Sequence, residues 1–485
     1  MLSEFRNPSE FRNQLTVSEP NNDFRDCAAT ATKDGKRLWV FARQSKGFYT
    51  HARHWLSFFQ ISFLISAPFV KINGEPMLMF NIFERRVSFF GCCFWPQDLH
   101  LFALAMITGL VAVALLTMVW GRVFCGWACP QTIFLEMMFR RIEWFLEGDG
   151  PEQRKQAKLP MRGQRLLRRM TKLVLFFALS FLLSNVFLGY VVGGDKLLAL
   201  MVHSPAHDWP LFWTVLAFSG VFFWHFTFFR EQLCAFLCPY ARLQSVFIDK
   251  ATVGVAYDEI RGEPRLRGAA RKAAAADPAK PKGDCVDCGL CVQVCPAGID
   301  IRNGFPQLEC VNCTACMDAC DGVMKSIGKP LALIGYKSRE MIEERRGFHI
   351  TPRVIFYSVA VAILGSVTLL LAITRSDTES TLLRMRGSTC IFRGDEALNV
   401  YEMRVLNKSG RDLMLTPAIK GLGRVECAPF PVKARQEAKS TLLIALPKAA
   451  CSHERGERIN LKVTLTDADG RIVETISSRF LGPEK

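Results

Sequence analysis

The stretch CVDCGLCVQVCPAGIDIRNGFPQLECVNCTACMDAC, Cys285 to Cys320, decides how the chain is read, because it holds eight of the eighteen cysteines in two copies of one spacing. The first copy is Cys285-x2-Cys288-x2-Cys291-x3-Cys295-Pro296. The second is Cys310-x2-Cys313-x2-Cys316-x3-Cys320, with Asp321 where a proline is usual. A cubane of four irons and four sulfides needs four soft thiolates: three come from one tight turn, and the fourth cysteine of each run ligates the other cluster. The expected ligand sets therefore cross. Cys285, Cys288, Cys291 and Cys320 would hold one cluster, and Cys310, Cys313, Cys316 and Cys295 the other. Zinc ribbons and disulfides compete with this reading, but a four-ligand zinc site explains neither the third cysteine of each triplet nor the paired fourth. The spacing predicts a two-cluster, bacterial ferredoxin-like α+β domain over residues 284–335.

The two cysteine runs are a small part of a larger chain. With 485 residues, a hydrophobic fraction of 50% and a formal charge of +16, several domains plus membrane spans are expected. The Lys and Arg flank long apolar runs and are not interleaved with exposed aromatics, which favours basic cytoplasmic loops over nucleic acid as the partner of that charge. Five segments approach the roughly twenty residues that cross a hydrocarbon core of about 30 Å. They are Trp55 to Val70, Leu99 to Trp120, Leu173 to Val192, Trp209 to Phe229 and Val354 to Ile373. The tail to Arg53 carries nine Lys and Arg and the loop Gly121 to Met170 ten, against three in Lys71 to Asp98 and one in Gly193 to Asp208. Positive loops stay in the cytoplasm, so the N-terminus and the cluster domain are predicted inside and the region after Ile373 outside.

The expected layout is then a cytoplasmic tail over 1–53 without a signal peptide and a four-span membrane domain over 54–260. A basic Ala- and Pro-rich linker follows over 261–283, fit to lie on anionic lipid. After the cluster domain come a fifth span over 352–374 and an all-β domain over 376–485. In the last, Asn399 to Leu406, Ile459 to Leu465 and Arg471 to Ile476 read as half-buried strands, the latter two joined by a turn at Asp469-Gly470, and together they suggest a small sandwich. Its cysteines, Cys390, Cys427 and Cys451, are odd in number and leave their pairing open.

Two further motifs match each other. Span two runs into Arg122-Val-Phe-Cys125-Gly-Trp-Ala-Cys129-Pro130, and span four into Arg230-Glu-Gln-Leu-Cys234-Ala-Phe-Leu-Cys238-Pro239. On a helix each pair lies one turn apart on one face, with the proline interrupting the hydrogen-bond ladder beyond it. If the two helices are neighbours, four thiols converge on the cluster side of the membrane. Thiolates select soft metals, Cu(I) above all, and Arg122 and Arg230 stand where positive charge stabilises thiolates. Packing as small hydrophobes, a further cluster and a redox disulfide remain alternatives. His225, nine residues before Cys234, points to the opposite helix face and reads as a packed histidine. Cys92 and Cys93 read as a loop packing near the bilayer, with a vicinal metal or redox pair as the alternative, and Cys27 has no partner nearby.

RVFCGWACPQT, REQLCAFLCPYARLQS, YDEIRGEPR, the run ending in GIDIRNG, and NVYEMRVLNK together resemble the cytochrome c oxidase accessory protein family, called CcoG or FixG, in order and over nearly the whole chain. That resemblance implies five spans in a bacterial inner membrane, a cytoplasmic two-cluster ferredoxin domain and a periplasmic immunoglobulin-like domain. It also implies reduction of Cu(II) to Cu(I) for assembly of a high-affinity haem-copper oxidase. By resemblance, the eight ferredoxin cysteines take the two 4Fe-4S clusters, and the catalytic, copper-handling role falls on Cys125, Cys129, Cys234 and Cys238. The partners it implies are membrane lipid, oxidase assembly factors or copper carriers and a cytoplasmic electron donor, with a homodimer left open and no nucleic acid. A quinol-linked electron-transfer subunit and a non-enzymatic assembly scaffold are the competing functions.

Overall fold

The computed structural model describes residues 29–30, 36–82, 85–160, 162–202, 209–266, 268, 282–385, 390–419, 423–447 and 458–481; Cys27, Cys451 and most of the linker lie outside the described residues. The chain divides into two compact units. The first comprises residues 1–70, 79–82 and 102–368, and the second 71–78, 83–101 and 369–485.

In the first unit, helix α1 (Phe48–Ser66) begins well before the span expected from Trp55. The Asp318 carboxylate accepts from the backbone N–H of Tyr49 (3.1 Å) and Thr50 (2.7 Å) and from the Thr50 hydroxyl (2.6 Å). A negative group there satisfies orphan donors and meets the positive end of the helix dipole. The close approach requires Gly47, since a Cβ on it would stand 2.4 Å from the Asp318 carboxyl carbon. Four helices among the described residues are long and apolar enough to cross a membrane: Pro96–Trp120, Gln164–Val192, Phe212–Phe229 and Pro352–Ile373. Helix α1 is not among them, because its first two turns carry His51, Arg53 and His54 and Arg53 is buried. The expectation of five apolar spans is thus met by four, plus a helix that is polar at one end.

We label α2 Leu99–Trp120, α3 Gln164–Val192 and α4 Trp209–Trp224, the last running on as a π-turn through His225–Phe229. Phe139 stacks on Phe226 with centroids 4.4 Å apart and meets Phe176 edge-on at 5.0 Å. Leu183 fills the same cluster. Ser184 and Ser219 share a 2.6 Å hydrogen bond between α3 and α4, which satisfies two hydroxyls that would otherwise be costly in an apolar surrounding.

The cysteine-rich segment is closed by an antiparallel pair, Gly254–Tyr257 with Ile334–Lys337. Between them lie the short helix Leu290–Gln293 and helix α5 (Ala315–Ser326). Val255, Ile299, Ile301, Met317, Met324, Leu333 and Ile334 make their core. Residues 254–257, read from sequence as the end of the membrane domain, therefore belong to the sheet that frames the cysteines. Helix α6 (Pro352–Ile373) follows and buries none of its residues, as a lipid-facing span does.

Residues 378–481 of the second unit form two antiparallel sheets. One has the order Arg424–Glu426, Glu437–Pro447, Glu396–Asn407, Thr378–Arg384, with Ile391–Arg393 also on Glu396–Asn407; the other runs Phe430–Val432, Leu413–Ile419, Arg458–Thr466, Ile472–Leu481. The three expected strands lie within or overlap Glu396–Asn407, Arg458–Thr466 and Ile472–Leu481. Tyr401, Met403 and Val405 from one sheet and Leu415, Val463, Leu465 and Phe480 from the other are all buried in one cluster, the period-two pattern of a sandwich. In the same unit Asp98 accepts from Lys408 (2.7 Å) and Arg375 (2.8 Å), which ties the residues before α2 to the sandwich.

Candidate functional site: two cysteine cavities and a convergent thiol group

Both cysteine runs fold the same way around their middle cysteine. Asp287 and Gly289 flank Cys288 with φ of 48° and 68°, and Asn312 and Thr314 flank Cys313 with φ of 52° and 64°. Left-handed conformation costs a non-glycine residue about 1–2 kcal/mol. Here it alternates with ordinary residues so that successive N–H groups turn inward, a concavity suited to an anionic cluster. Each run borders a cavity. One, of about 360 Å³, is lined by Cys285, Cys288, Cys291 and Cys320. The other, of about 350 Å³, is lined by Cys295, Cys310, Cys313 and Cys316, with Cys291 on its wall. Each cavity thus gathers the four thiols expected from the crossed spacing, in apolar walls of Val255, Ile299, Ile301, Leu333 and Ile334. The donor set and the nests fit a 4Fe-4S group in each cavity. Burial pushes the Cys310 thiol up to about 12 and raises Cys291 and Cys295 well above the usual thiol range, so metal must displace their protons on binding.

The two membrane-end motifs also repeat one geometry. Cys129 N–H and Cys238 N–H each bond to a carbonyl five residues back, Phe124 and Leu233, at 2.9 and 2.8 Å. Both cysteines then leave the helix in extended form, φ −68°, ψ 121° and φ −67°, ψ 110°, and the following proline opens a new helix. The wide turn, not an α-turn, separates each pair, because proline supplies no N–H to continue the ladder. Cys234 lies within electrostatic reach of Cys129, Cys125 and Cys238, and Cys125 within reach of Cys129 and Cys238. The four thiols thus neighbour one another as expected, though among the described residues no three His, Cys, Asp or Glu side chains stand close enough to hold a metal ion as placed. Burial pushes Cys125 up to about 11 against the opposing charge of Arg122. Burial pushes Cys234 up to about 12, reinforced by the other three cysteines. Arg122 acts as expected but loses to desolvation. Arg230 is instead committed to a two-point pair with Glu143 at 2.7 and 2.9 Å.

The thiol group abuts the second cavity. A Cβ on Gly126 would stand 2.4 Å from the Val311 carbonyl oxygen, so only glycine lets the Cys125–Cys129 turn lie on the Val311–Asn312 backbone. Trp127 Nε1 donates to Asn312 O (3.2 Å), Asn312 Nδ2 to Trp120 O (3.3 Å) and Arg53 Nε to Gly126 O (2.8 Å). Arg122 donates to Leu308 O and, from Nε, to Gln244 Oε1 at 3.1 Å, which also accepts from Cys125 Sγ at 3.2 Å. Cys125 and Cys313 share one apolar cluster. Gly126, Asn312, Gln244 and Arg53 escaped the sequence reading. Only the glycine inside Cys-Gly-Trp hinted at a close approach.

His225 binds Gln131 Oε1 at 2.9 Å. The helical-phase argument against it does not hold, since Arg230, at φ 47°, breaks the helix between His225 and Cys234. Cys92 and Cys93 lie on the strand Cys92–Phe94, paired to Arg86–Phe89. Cys92 is exposed and Cys93 buried, because neighbours on a strand face opposite ways. Such an arrangement suits packing better than a vicinal pair.

Residues 229–339 match a 4Fe-4S dicluster domain family, 102–147 a 4Fe-4S binding domain family, and 368–483 the family described as an IG-like fold at the C-terminal of FixG. Protein RdxA of Cereibacter sphaeroides is 30% identical over 462 residues, covering 90% of this chain and 94% of that protein. Protein RdxB of the same organism is 31% identical, covering 79% and 82%. The nitrogen fixation protein FixG of Rhizobium meliloti is 31% identical, covering 62% and 57%.

Proposed function

The chain belongs to the FixG family of membrane iron–sulfur proteins, and from that premise we propose that it reduces Cu(II) to Cu(I), one electron at a time, for assembly of a haem-copper oxidase. Electron transfer is the activity its 4Fe-4S domains support; copper and the oxidase are the further step. When bound, each 4Fe-4S group supplies a one-electron store with small reorganisation. Cys285, Cys288, Cys291 and Cys320 would hold one such group, and Cys295, Cys310, Cys313 and Cys316 the other. Gly126, Trp127 and Asn312 press the Cys125–Cys129 turn against the second set. That contact is the observation that carries the proposal, because it leaves Cys125 beside Cys313 in one cluster.

Cu(II), the substrate, would meet the thiols of Cys125, Cys129, Cys234 and Cys238. Soft sulfur ligands favour the cuprous product and help drive its formation. The balance is one electron gained by Cu(II) and one lost by a donor protein in the cytoplasm. Five spans, with the cysteine cavities inside and the sandwich in the periplasm of an inner membrane, agree with the Lys and Arg distribution. The packing of residues 83–101 with 369–485 in one unit agrees as well, since both would lie on the outer side. The sandwich would then be the surface offered to assembly factors or copper carriers.

A second reading has its own observation. The 4Fe-4S binding domain match at 102–147 contains Cys125 and Cys129, and four convergent thiols also suit a third cubane. Iron content separates the two: about eight irons per chain for two cubanes, about twelve for three. In the copper reading, substituting Cys125 with Cys129, or Cys234 with Cys238, by Ser abolishes Cu(II) reduction by dithionite-reduced protein and leaves iron at about eight. Full copper reduction in both double variants would show that these cysteines only pack.

A further inference from the structure

Asp321 departs from the proline usual after the last cysteine of a ferredoxin run, and Arg53 is a buried cation near the start of α1. Neither side chain's charge has been given a role so far. Arg53 is 6% exposed; its Nε is held by Gly126 O, while its Nη2 has no hydrogen-bond partner among the described residues. Arg122, 4% exposed, donates to the neutral Gln244 and the Leu308 carbonyl and lies against the Cys125 thiol. Among the described residues no carboxylate pairs with either. Both act on the second set of thiols, Arg53 on Cys313 and Arg122 on Cys310; the Glu136 and Arg140 that also reach Cys313 are paired with each other at 3.3 Å and offset.

The first set is surrounded differently. Arg302 lies beside Cys291 but is outnumbered by its own partners, Asp300 (2.7 Å) and Asp287 (2.6 Å). Asp321 adds a further negative charge beside Cys320, its position fixed by the Ala332 N–H at 2.8 Å. Asp284, next to Cys285, is offset by Arg261 (2.7 Å) and the more exposed Lys329 (3.0 Å). Cys288 is exposed, and no cysteine of the second set is.

We infer that Arg53 and Arg122 on one side, and Asp287, Asp300 and Asp321 on the other, set the two cysteine cavities at different electron affinities, so that an electron taken up at Cys285–Cys320 settles in the cavity that faces the membrane thiols. Net charge near an iron–sulfur group is one of the main settings of its potential. Burial opposes the effect at the second cavity by disfavouring added negative charge. It also removes the water that would screen two guanidinium groups, and in a low-dielectric site their attraction is strengthened. The inference rests on the eight cysteines holding two 4Fe-4S groups, and it deepens that reading by giving electron flow a direction.

The test is a mediated redox titration of anaerobically prepared full-length protein, followed by electron paramagnetic resonance, with iron counted on the same samples. Wild type should show two resolved one-electron steps. Arg53→Gln should move the upper step down by about tenfold in the reduced-to-oxidised ratio at fixed potential, about 59 mV for one electron, and leave the lower step in place. Arg53→Lys, which keeps the charge, should restore it. Asp321→Asn, which keeps the acceptor for Ala332, should move the lower step up by about threefold, about 28 mV, and supplies the test should Arg53→Gln lose iron. One merged step, an upper step unmoved by Arg53→Gln, or an upper step moved by Asp321→Asn overturns the inference with iron intact. Iron well below about eight in wild type would instead overturn the two-cluster reading on which it stands.

Discussion

Around Cys285 to Cys295 the neighbours are carboxylates and solvent: Cys288 is exposed, and Asp287 and Asp300 close on Arg302. Around Cys310 to Cys320 they are the ends of membrane helices. Trp127 and Trp120 clasp Asn312, and no carboxylate among the described residues pairs with Arg53 or Arg122. The spacing and the left-handed residues are the same in both runs. Spacing therefore decides what each run can hold, and the neighbours decide what it is for. On the proposed function the outer run, at Cys285, would meet a donor and the inner run, at Cys310, would hand an electron on.

The largest separation between the two runs should come from removing one thiol from each. Cys288→Ser and Cys313→Ser should each lose about four of eight irons. Only Cys313→Ser should abolish copper reduction by dithionite-reduced protein, since dithionite can reach the inner site without the outer one. Equal loss of copper reduction in both variants would break the comparison. A smaller effect is expected from two glycines. Gly126→Ala places a methyl group 2.4 Å from the Val311 carbonyl oxygen, and displacement on the order of 1 Å can cost about 10²-fold in rate. Gly289→Ala meets nothing within 4 Å at φ +68°, so its cost is local strain of about 1–2 kcal/mol with copper reduction kept. Rates and thermal unfolding of the two variants, side by side, check both halves.

Much of this was legible in residues that act locally. Three cysteines in a turn and a fourth beyond it carry their own geometry, and α2 and α6 carry no ionisable side chain of the Asp, Glu, Lys, Arg or His type beyond their first two residues, so ligand sets and long spans follow from short stretches. The strands around Tyr401 and Val463 alternate for the same reason. What was not legible depends on partners far along the chain. Helix α1 starts at Phe48 because of Asp318, 269 residues from Tyr49. The turn at Cys129 widens because Pro130 cannot continue the ladder, which a helical-face argument overlooks. The phase drawn from His225 to Cys234 fails at the left-handed Arg230. Arg122 was expected to lower the Cys125 thiol, but burial outweighs it, and burial is a property of the packed molecule.

The central claim is that an electron held at the inner run reaches Cu(II) at the four membrane-end thiols. Protein reduced with dithionite, freed of excess reductant and mixed anaerobically with Cu(II), should be followed by rapid-freeze electron paramagnetic resonance. The account predicts that the Cu(II) signal disappears as the reduced iron–sulfur signal does, one for one. It should do so faster at pH 8.5 than at pH 6.5, because Cys125 and Cys234, pushed up to about 11 and about 12, are neutral at both values and must shed protons to bind metal. A Cu(II) signal that persists while the iron–sulfur signal stays reduced would contradict it.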